Sequence, residues 1–117
     1  MIRMPISEVA DRYTIALLKQ KNTDEDMFKE IDTYQDELRS YPDIEPYIVR
    51  LLEVNSKIWK LEASLRAGKE NEMMYVVIAE TAVAIRNTNR ERVAIKNEMV
   101  EKYGEGFKDI KINHVSQ

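Results

Sequence analysis

The residues from Asn71 to Tyr103 carry one continuous helical pattern, stopped by Gly104 and Gly106. At about 1.5 Å per residue, such a helix is near 50 Å long. Its first half, MMYVVIAETAVAI, is apolar nearly all round the wheel, with Val76 and Val83 on the side away from Ile78 and Ile85. A helix apolar on every side is central or lies at an interface. The preceding pattern, from about Ile44 to Arg66 and ended by Gly68, spans only some 35 Å. If the two fold back about Gly68, Ile85 comes opposite Leu52 and everything after Arg92 overhangs. The overhang then has to meet other helices or a second subunit.

Two shorter patterns precede this pair. Ser7, with Glu8 in the first turn, is a good N-cap for a helix over about 7–21, with Ile6, Ala10, Tyr13 and Leu17 as its apolar stripe. Ile15 and Leu18 widen the buried sector. Thr23 caps a second helix, about 24–41, whose Met27, Ile31, Tyr34, Leu38 and Tyr41 alternate at three and four like a seam. The stretch SYPDIEP ends it, because proline disfavours helix in the residue before it, and Asp43 can cap the third helix, 44–66. The fourth runs over about 71–103, and 104–117 reads as a short extended tail. With 44% hydrophobic and 33% charged residues but only three Gly and three Pro, the 117-residue chain is too apolar for disorder and too poor in turn formers for a β-sandwich. The expected fold is a single domain, an all-α antiparallel bundle of about four helices. So small a domain buries little more than about 60% of its unfolded surface, so a long exposed apolar face points to a second subunit.

The chain has no cysteine, which excludes disulfides and thiolate chemistry and fits a reducing compartment. Neither a signal-peptide core nor a run of about 20 apolar residues occurs, so a cytoplasmic location and no membrane partner are expected. The net charge of −3 is uneven: nine acids stand against Lys29 and Arg39 between Asp24 and Glu45, while Arg86 to Lys102 holds five bases and three acids. That asymmetry can join parts of one fold, or two subunits. Nucleic-acid binding asks for a far more basic domain, and no such partner is expected.

Polar residues interrupt the buried faces. At 100° per residue, Asn89, Arg92 and Lys96 share one direction with Ile78, Ile85, Met99 and Tyr103. The third helix repeats the anomaly, with Asn55 and Glu62 among Leu52, Trp59 and Leu65 and Arg66 at the margin. Leaving such groups buried and unpartnered costs about 1–3 kcal/mol each, so the fold has to pair them. Hairpin geometry keeps Glu62 some four turns from Arg92 in one chain, whereas Glu8 and Asp11 of the first helix, beside Thr14, are better placed. Three readings stand. The polar residues set register or oligomer state. Alternatively, Thr88-x-x-Glu91 is a capping box that breaks the fourth helix. Or Asp11, Asn55, Glu62, Asn89, Arg92 and Lys96 line a site for a small anionic, sugar or nucleotide-type ligand.

Signs of catalysis are sparse. His114 is the only histidine, no glycine-rich phosphate loop occurs, and no catalytic residue, cofactor or metal is assigned. The pairs Glu8/Asp11 and Glu98/Glu101 have the spacing by which helical pyrophosphohydrolases hold magnesium, but Glu98 and Glu101 point off the core face and read as surface acids. The aromatic and methionine residues, Trp59 among them, read as core and interface.

Three segments, ISEVADRYTIALLK, LLEVNSKIWKLEASLR and IRNTNRERVAIKNEM, together resemble an uncharacterised family of small helical proteins of bacteria and their phages. That family opens on E-x-x-D-(K/R)-x-T-I, followed by N-x-x-(I/L)-W-x-(I/L)-E-x-x-(I/L)-R and N-x-x-R-x-x-(I/L)-K-x-E-(I/L). The resemblance picks out Glu8, Asp11, Thr14, Asn55, Trp59, Glu62, Arg66, Asn89, Arg92 and Lys96; it leaves out the acidic second helix and the ending KINHVSQ. Arg12 stands where lysine is common. The resemblance implies the helical fold and these positions, and sugar metabolism only through neighbouring surface-carbohydrate genes; it implies no reaction. The expectation is a cytoplasmic binding or assembly module, a homodimer through the fourth helix, more a binder than an enzyme. The alternatives are a sugar or nucleotide enzyme, with Arg92 and Lys96 clamping an anion and Asp11 or Glu62 as general acid or base, and a phage-encoded modulator of a host protein.

Overall fold

A computed structural model describes residues 4–70 and 74–106. They form four helices and, among the described residues, no strand: α1 (Ile6–Asn22), α2 (Phe28–Leu38), α3 (Glu45–Glu70) and α4 (Tyr75–Tyr103). The fold is an all-α bundle with a long C-terminal helix. The expected extended tail lies mostly outside the described residues. No helix is long and apolar enough among them to cross a membrane.

The hub is α1, not the long C-terminal helix. It packs against each of the other three helices, α2 rests on α1 alone, and α3 and α4 lie against each other. Ile6, Val9 and Ala10 from α1, Leu38 from α2, Leu51 from α3 and Ile95 and Met99 from α4 make the core, ringed by partly buried Tyr13, Tyr34, Tyr41, Tyr47 and Tyr103. Each comes from the apolar face that helical spacing marks out.

α2 ends at Leu38 and α4 begins at Tyr75, both short of the expected bounds, and four further sequence readings differ from the structure, each for a local reason. Pro5, not Ser7, is the N-cap of α1: its carbonyl accepts from the Glu8 and Val9 amides at 3.0 and 3.1 Å, and Ser7 is buried inside the helix. Thr23 does not start α2; its hydroxyl donates to the Lys19 carbonyl at the end of α1 and accepts from the Glu25 amide. Asp26 and Gln20 side chains then accept from the Phe28 and Met27 amides, so short polar groups hold 23–27 as a turn and α2 begins late. Gly68 does not end α3. A C-terminal stop uses glycine at positive φ, and only Gly104 (67°) and Gly106 (84°) adopt it among the described glycines. Finally, α4 does not break at Thr88. That hydroxyl donates to the Ala84 carbonyl one turn back, inside a continuous 29-residue helix.

Running α3 on to Glu70 removes the overhang. With 26 and 29 residues, α3 and α4 are nearly matched at about 39 and 44 Å. The Arg50 guanidinium holds the Glu98 carboxylate at 3.0 and 2.6 Å and marks the register. Counting turn for turn from that pair, Ile85 lies near Ala63, about three turns from Leu52. The C-terminal half of α4 thus meets α1 within the chain. Among the described residues, the end left without cover is the opposite one.

Gly104 is the αL cap of α4, its amide bonded to the Val100 carbonyl at 2.9 Å. A Cβ on Gly104 meets open space, whereas one on Gly106 falls 2.9 Å from the Pro5 Cβ. Gly104→Ala is therefore expected to cost only the left-handed strain, about 1 kcal/mol, and Gly106→Ala clearly more. Equilibrium urea unfolding checks both, with an unchanged m-value expected.

Candidate functional site

One carboxylate gathers the buried polar residues. Asp11 sits on the face of α1 that turns toward α3 and α4, with a relative exposure of 1%. From α4 the Arg92 guanidinium lies along it edge-on, Nε donating to Oδ1 at 2.9 Å and Nη2 to Oδ2 at 2.5 Å. From α3 the Asn55 amide donates to the same Oδ1 at 2.9 Å and to the Thr14 hydroxyl oxygen at 2.8 Å. Thr14 in turn donates to the Asp11 main-chain carbonyl at 2.7 Å. Asn89, one turn before Arg92, accepts from Nη1 at 3.2 Å. Lys96, one turn after Arg92, pairs with Glu8, one turn before Asp11, and its Nζ is 3.9 Å from Asp11 Oδ2. The antiparallel run of α1 and α4 makes these two pairs match: Glu8 and Asp11 step one way as Lys96 and Arg92 step the other.

The electrostatics follow from the geometry. Burial pushes the Asp11 carboxyl up, but the hydrogen bonds from Arg92 and Asn55 and the charges of Arg92 and Lys96 outweigh it and hold the group below its ordinary range. The bond to Asp11 raises Arg92, against its own burial and with help from the charges of Asp11, Glu8 and Glu62. Among the described residues, no buried side-chain nitrogen or oxygen lacks a hydrogen-bond partner. Asp11 is thus an ionised acceptor with no proton to give at neutral pH, and its oxygens already take three bonds. Arg92 and Lys96 are neutralised by Asp11 and Glu8.

Of the residues singled out in the sequence, Asp11, Asn55, Asn89, Arg92 and Lys96 come together; Glu62 does not join them. It is exposed, near enough for its charge to act on Arg92 but in no hydrogen bond with it. Arg66 is likewise exposed, and Trp59 half-buried. Glu8 and Thr14, named beside Asp11 as the better-placed partners for Arg92 but not among the six ligand-site candidates, also take part. Their signal was the one-turn spacing Glu8–Asp11 set against Arg92–Lys96, and the place of Thr14 next to Asp11 on the α1 wheel. The Glu98 carboxylate is taken by Arg50. Among the described residues no three carboxylates, histidines or cysteines gather as metal ligands. The described surface pockets, such as the one of about 260 Å³ floored by Tyr13, Leu38, Ile44 and Ile48, are lined by other residues.

Removing one member of a buried pair costs about 3–5 kcal/mol, because the other charge is left without a partner. Arg92, 29% exposed, can turn to water when alone, and Asp11 cannot. Arg92→Met is therefore expected near the upper end and Asp11→Asn near the lower, in urea unfolding at neutral pH. The pH dependence has a definite sign. The native pKa of Asp11 lies below its ordinary 3.8, so the unfolded chain takes up this proton first as pH falls. Stability that is fully present above about pH 4 is lost as pH drops through the lowered native value, and Asp11→Asn flattens that limb of the stability curve.

Compared with models of protein families, with curated proteins and with solved structures, the chain matches none of them.

Proposed function

We propose that the chain is a cytoplasmic binding or assembly module that works as a homodimer, paired through the outer half of the α3–α4 hairpin. One observation carries this reading. From Ile58 to Ala67 and from Met74 to Asn87 no side chain is buried, although the second stretch is the most apolar of the chain. Tyr75 is 91% exposed, Met74 71%, Val76 54% and Val83 44%. Ile78 and Ile85 turn inward and are half-covered, while Val76 and Val83 turn out.

Apolar surface left in water forgoes about 25 cal/mol per Å². Contiguous apolar patches of this kind mark interaction sites. A two-helix arm cannot enclose its own apolar residues, but two such arms side by side make a four-helix bundle, in which all four helices have an inside. The hydrogen-bonded cluster around Asp11 supports a register role within this reading. It closes on itself, so an anionic sugar or nucleotide would have to displace Asp11 or Glu8 to reach Arg92 or Lys96. Seven of the ten positions marked by the resemblance to the bacterial and phage family, Glu8, Asp11, Thr14, Asn55, Asn89, Arg92 and Lys96, belong to that cluster, while Trp59, Glu62 and Arg66 lie outside it.

Sedimentation velocity tests the assembly. The wild-type chain is expected at twice the chain mass at micromolar concentration. Val83→Glu should give a monomer with unchanged helical circular dichroism, and Lys29→Glu, on the solvated face of α2, should leave the dimer intact. A wild type that stays monomeric at every concentration removes the homodimer. A protein partner on the same strip is then the surviving reading.

A further inference from the structure

The end of α4 and the start of α1 are tied by a single side chain. Glu105, half-buried and just past the C-cap of α4, accepts from the Ile6 amide at 3.1 Å through Oε1 and from the Tyr41 hydroxyl through Oε2. Ile6 provides the first N–H of α1, and Pro5, the N-cap, has no side-chain acceptor to offer it. The first amides of a helix have no partner within it and favour a negative charge. Here the acceptor comes from 99 residues away.

The contacts around Glu105 place it from both sides. Gly106 lies so close to Pro5 that no Cβ fits between them. Before it, the Tyr103 hydroxyl donates to the Pro42 carbonyl at 2.7 Å, and the Tyr103 ring meets those of Tyr41 and Tyr47 edge-on at 5.4 and 6.2 Å. Lys102 lies over the Tyr47 and Tyr103 rings, 5.4 and 5.5 Å from their centroids. Tyr103 packs against the core, whereas past it Glu105 and Gly106 reach α1 only at Pro5 and the Ile6 amide, and the α2–α3 connection only at Tyr41. Asp11, Arg92 and the core side chains Leu51 and Met99 are satisfied without these two residues.

We propose that residues 104–106 form a strap anchored by Glu105 and hinged after Tyr103, which opens and closes as a unit and releases the Ile6 amide without unfolding the bundle. Local openings of this kind occur below the free energy of global unfolding, in contiguous units with few buried contacts. The open strap leaves the Ile6 amide to water and gives up the Glu105–Tyr41 bond. The closed strap defines where α1 begins.

Amide hydrogen exchange on the full chain separates a strap from an ordinary structural contact. In Glu105→Ala the Ile6 amide is expected to exchange at least tenfold faster, with the amides of Leu51, Ile95 and Met99 unchanged. Glu105→Gln keeps an acceptor for Ile6, and its amide can donate to a rotated Tyr41 hydroxyl, so most of the protection should remain. Tyr41→Phe removes one anchor and should raise exchange at Ile6 by a smaller factor, and it reads the same split should the alanine variant fail to fold. Uniform acceleration across all four helices would mean that the strap belongs to the global unit and would overturn the proposal. So would an Ile6 rate indifferent to every substitution.

Discussion

A buried carboxylate can persist in a bundle of this size only if it is kept ionised by partners it cannot lose, and Asp11 meets that condition by drawing on three helices. Arg92 from α4 supplies charge and two donors, Asn55 from α3 supplies a third, and Thr14 closes the local main chain of α1. None of these helices can shift by a turn without taking a partner from the buried Asp11 carboxylate. The apolar core is more permissive, because leucine, isoleucine and methionine tolerate small slips of packing. The carboxylate therefore decides the register, and the core gives most of the stability. A well-packed apolar replacement could equal the ion pair in free energy, but it would not discriminate between neighbouring registers to the same degree.

The helices themselves were legible because their signal is additive: four amphipathic or apolar patterns, separated by polar turns, allow no other fold class. The polar cluster was legible in part. Helical wheels put Asn55, Asn89, Arg92 and Lys96 on inward faces; Glu62 makes no bond to Arg92, but it lies less than two turns from it rather than the four that hairpin geometry gave. What failed was the register of α3 against α4. It hung on Gly68, which reads as a stop by composition, while a stop depends on positive φ, a property of conformation that residue type alone does not show. From that one misplacement came the overhang, and with it the wrong end of the hairpin as the part in need of cover. The caps failed for a related reason. Ser7 and Thr23 have the right chemistry, but the acceptor at the head of α1 comes from Glu105, at a separation that local reading does not reach.

The correction moves the weight of the dimer reading without removing it. With α1 covering the C-terminal half of α4, that half carries the charges, Arg92 and Lys96, and has partners for them. The N-terminal half, from Tyr75 to Val83, has the apolar side chains and no partner from α1 or α2 deep enough to bury them. Within one helix the sequence thus changes from residues that satisfy each other inside the chain to apolar residues that no described residue buries. The change falls at Asn87 and Thr88, where the fourth helix turns from apolar to polar.

The two ends of the hairpin also differ in how they hold together. At the Tyr103 end, hydrogen bonds and aromatic edges join four segments: the start of α1, the α2–α3 connection, the start of α3 and the end of α4. At the Tyr75 end two helices lie against each other with half-covered isoleucines between them. Specific polar contacts are short-ranged and exacting, and they suit an end whose partners are fixed in the chain. Apolar contact is non-directional and scales with area, and it suits an end whose partner arrives from outside. The Asp11 cluster stands between them and keeps the second end from depending on the first. A strap that opens at Glu105 then leaves the apolar arm presented as before.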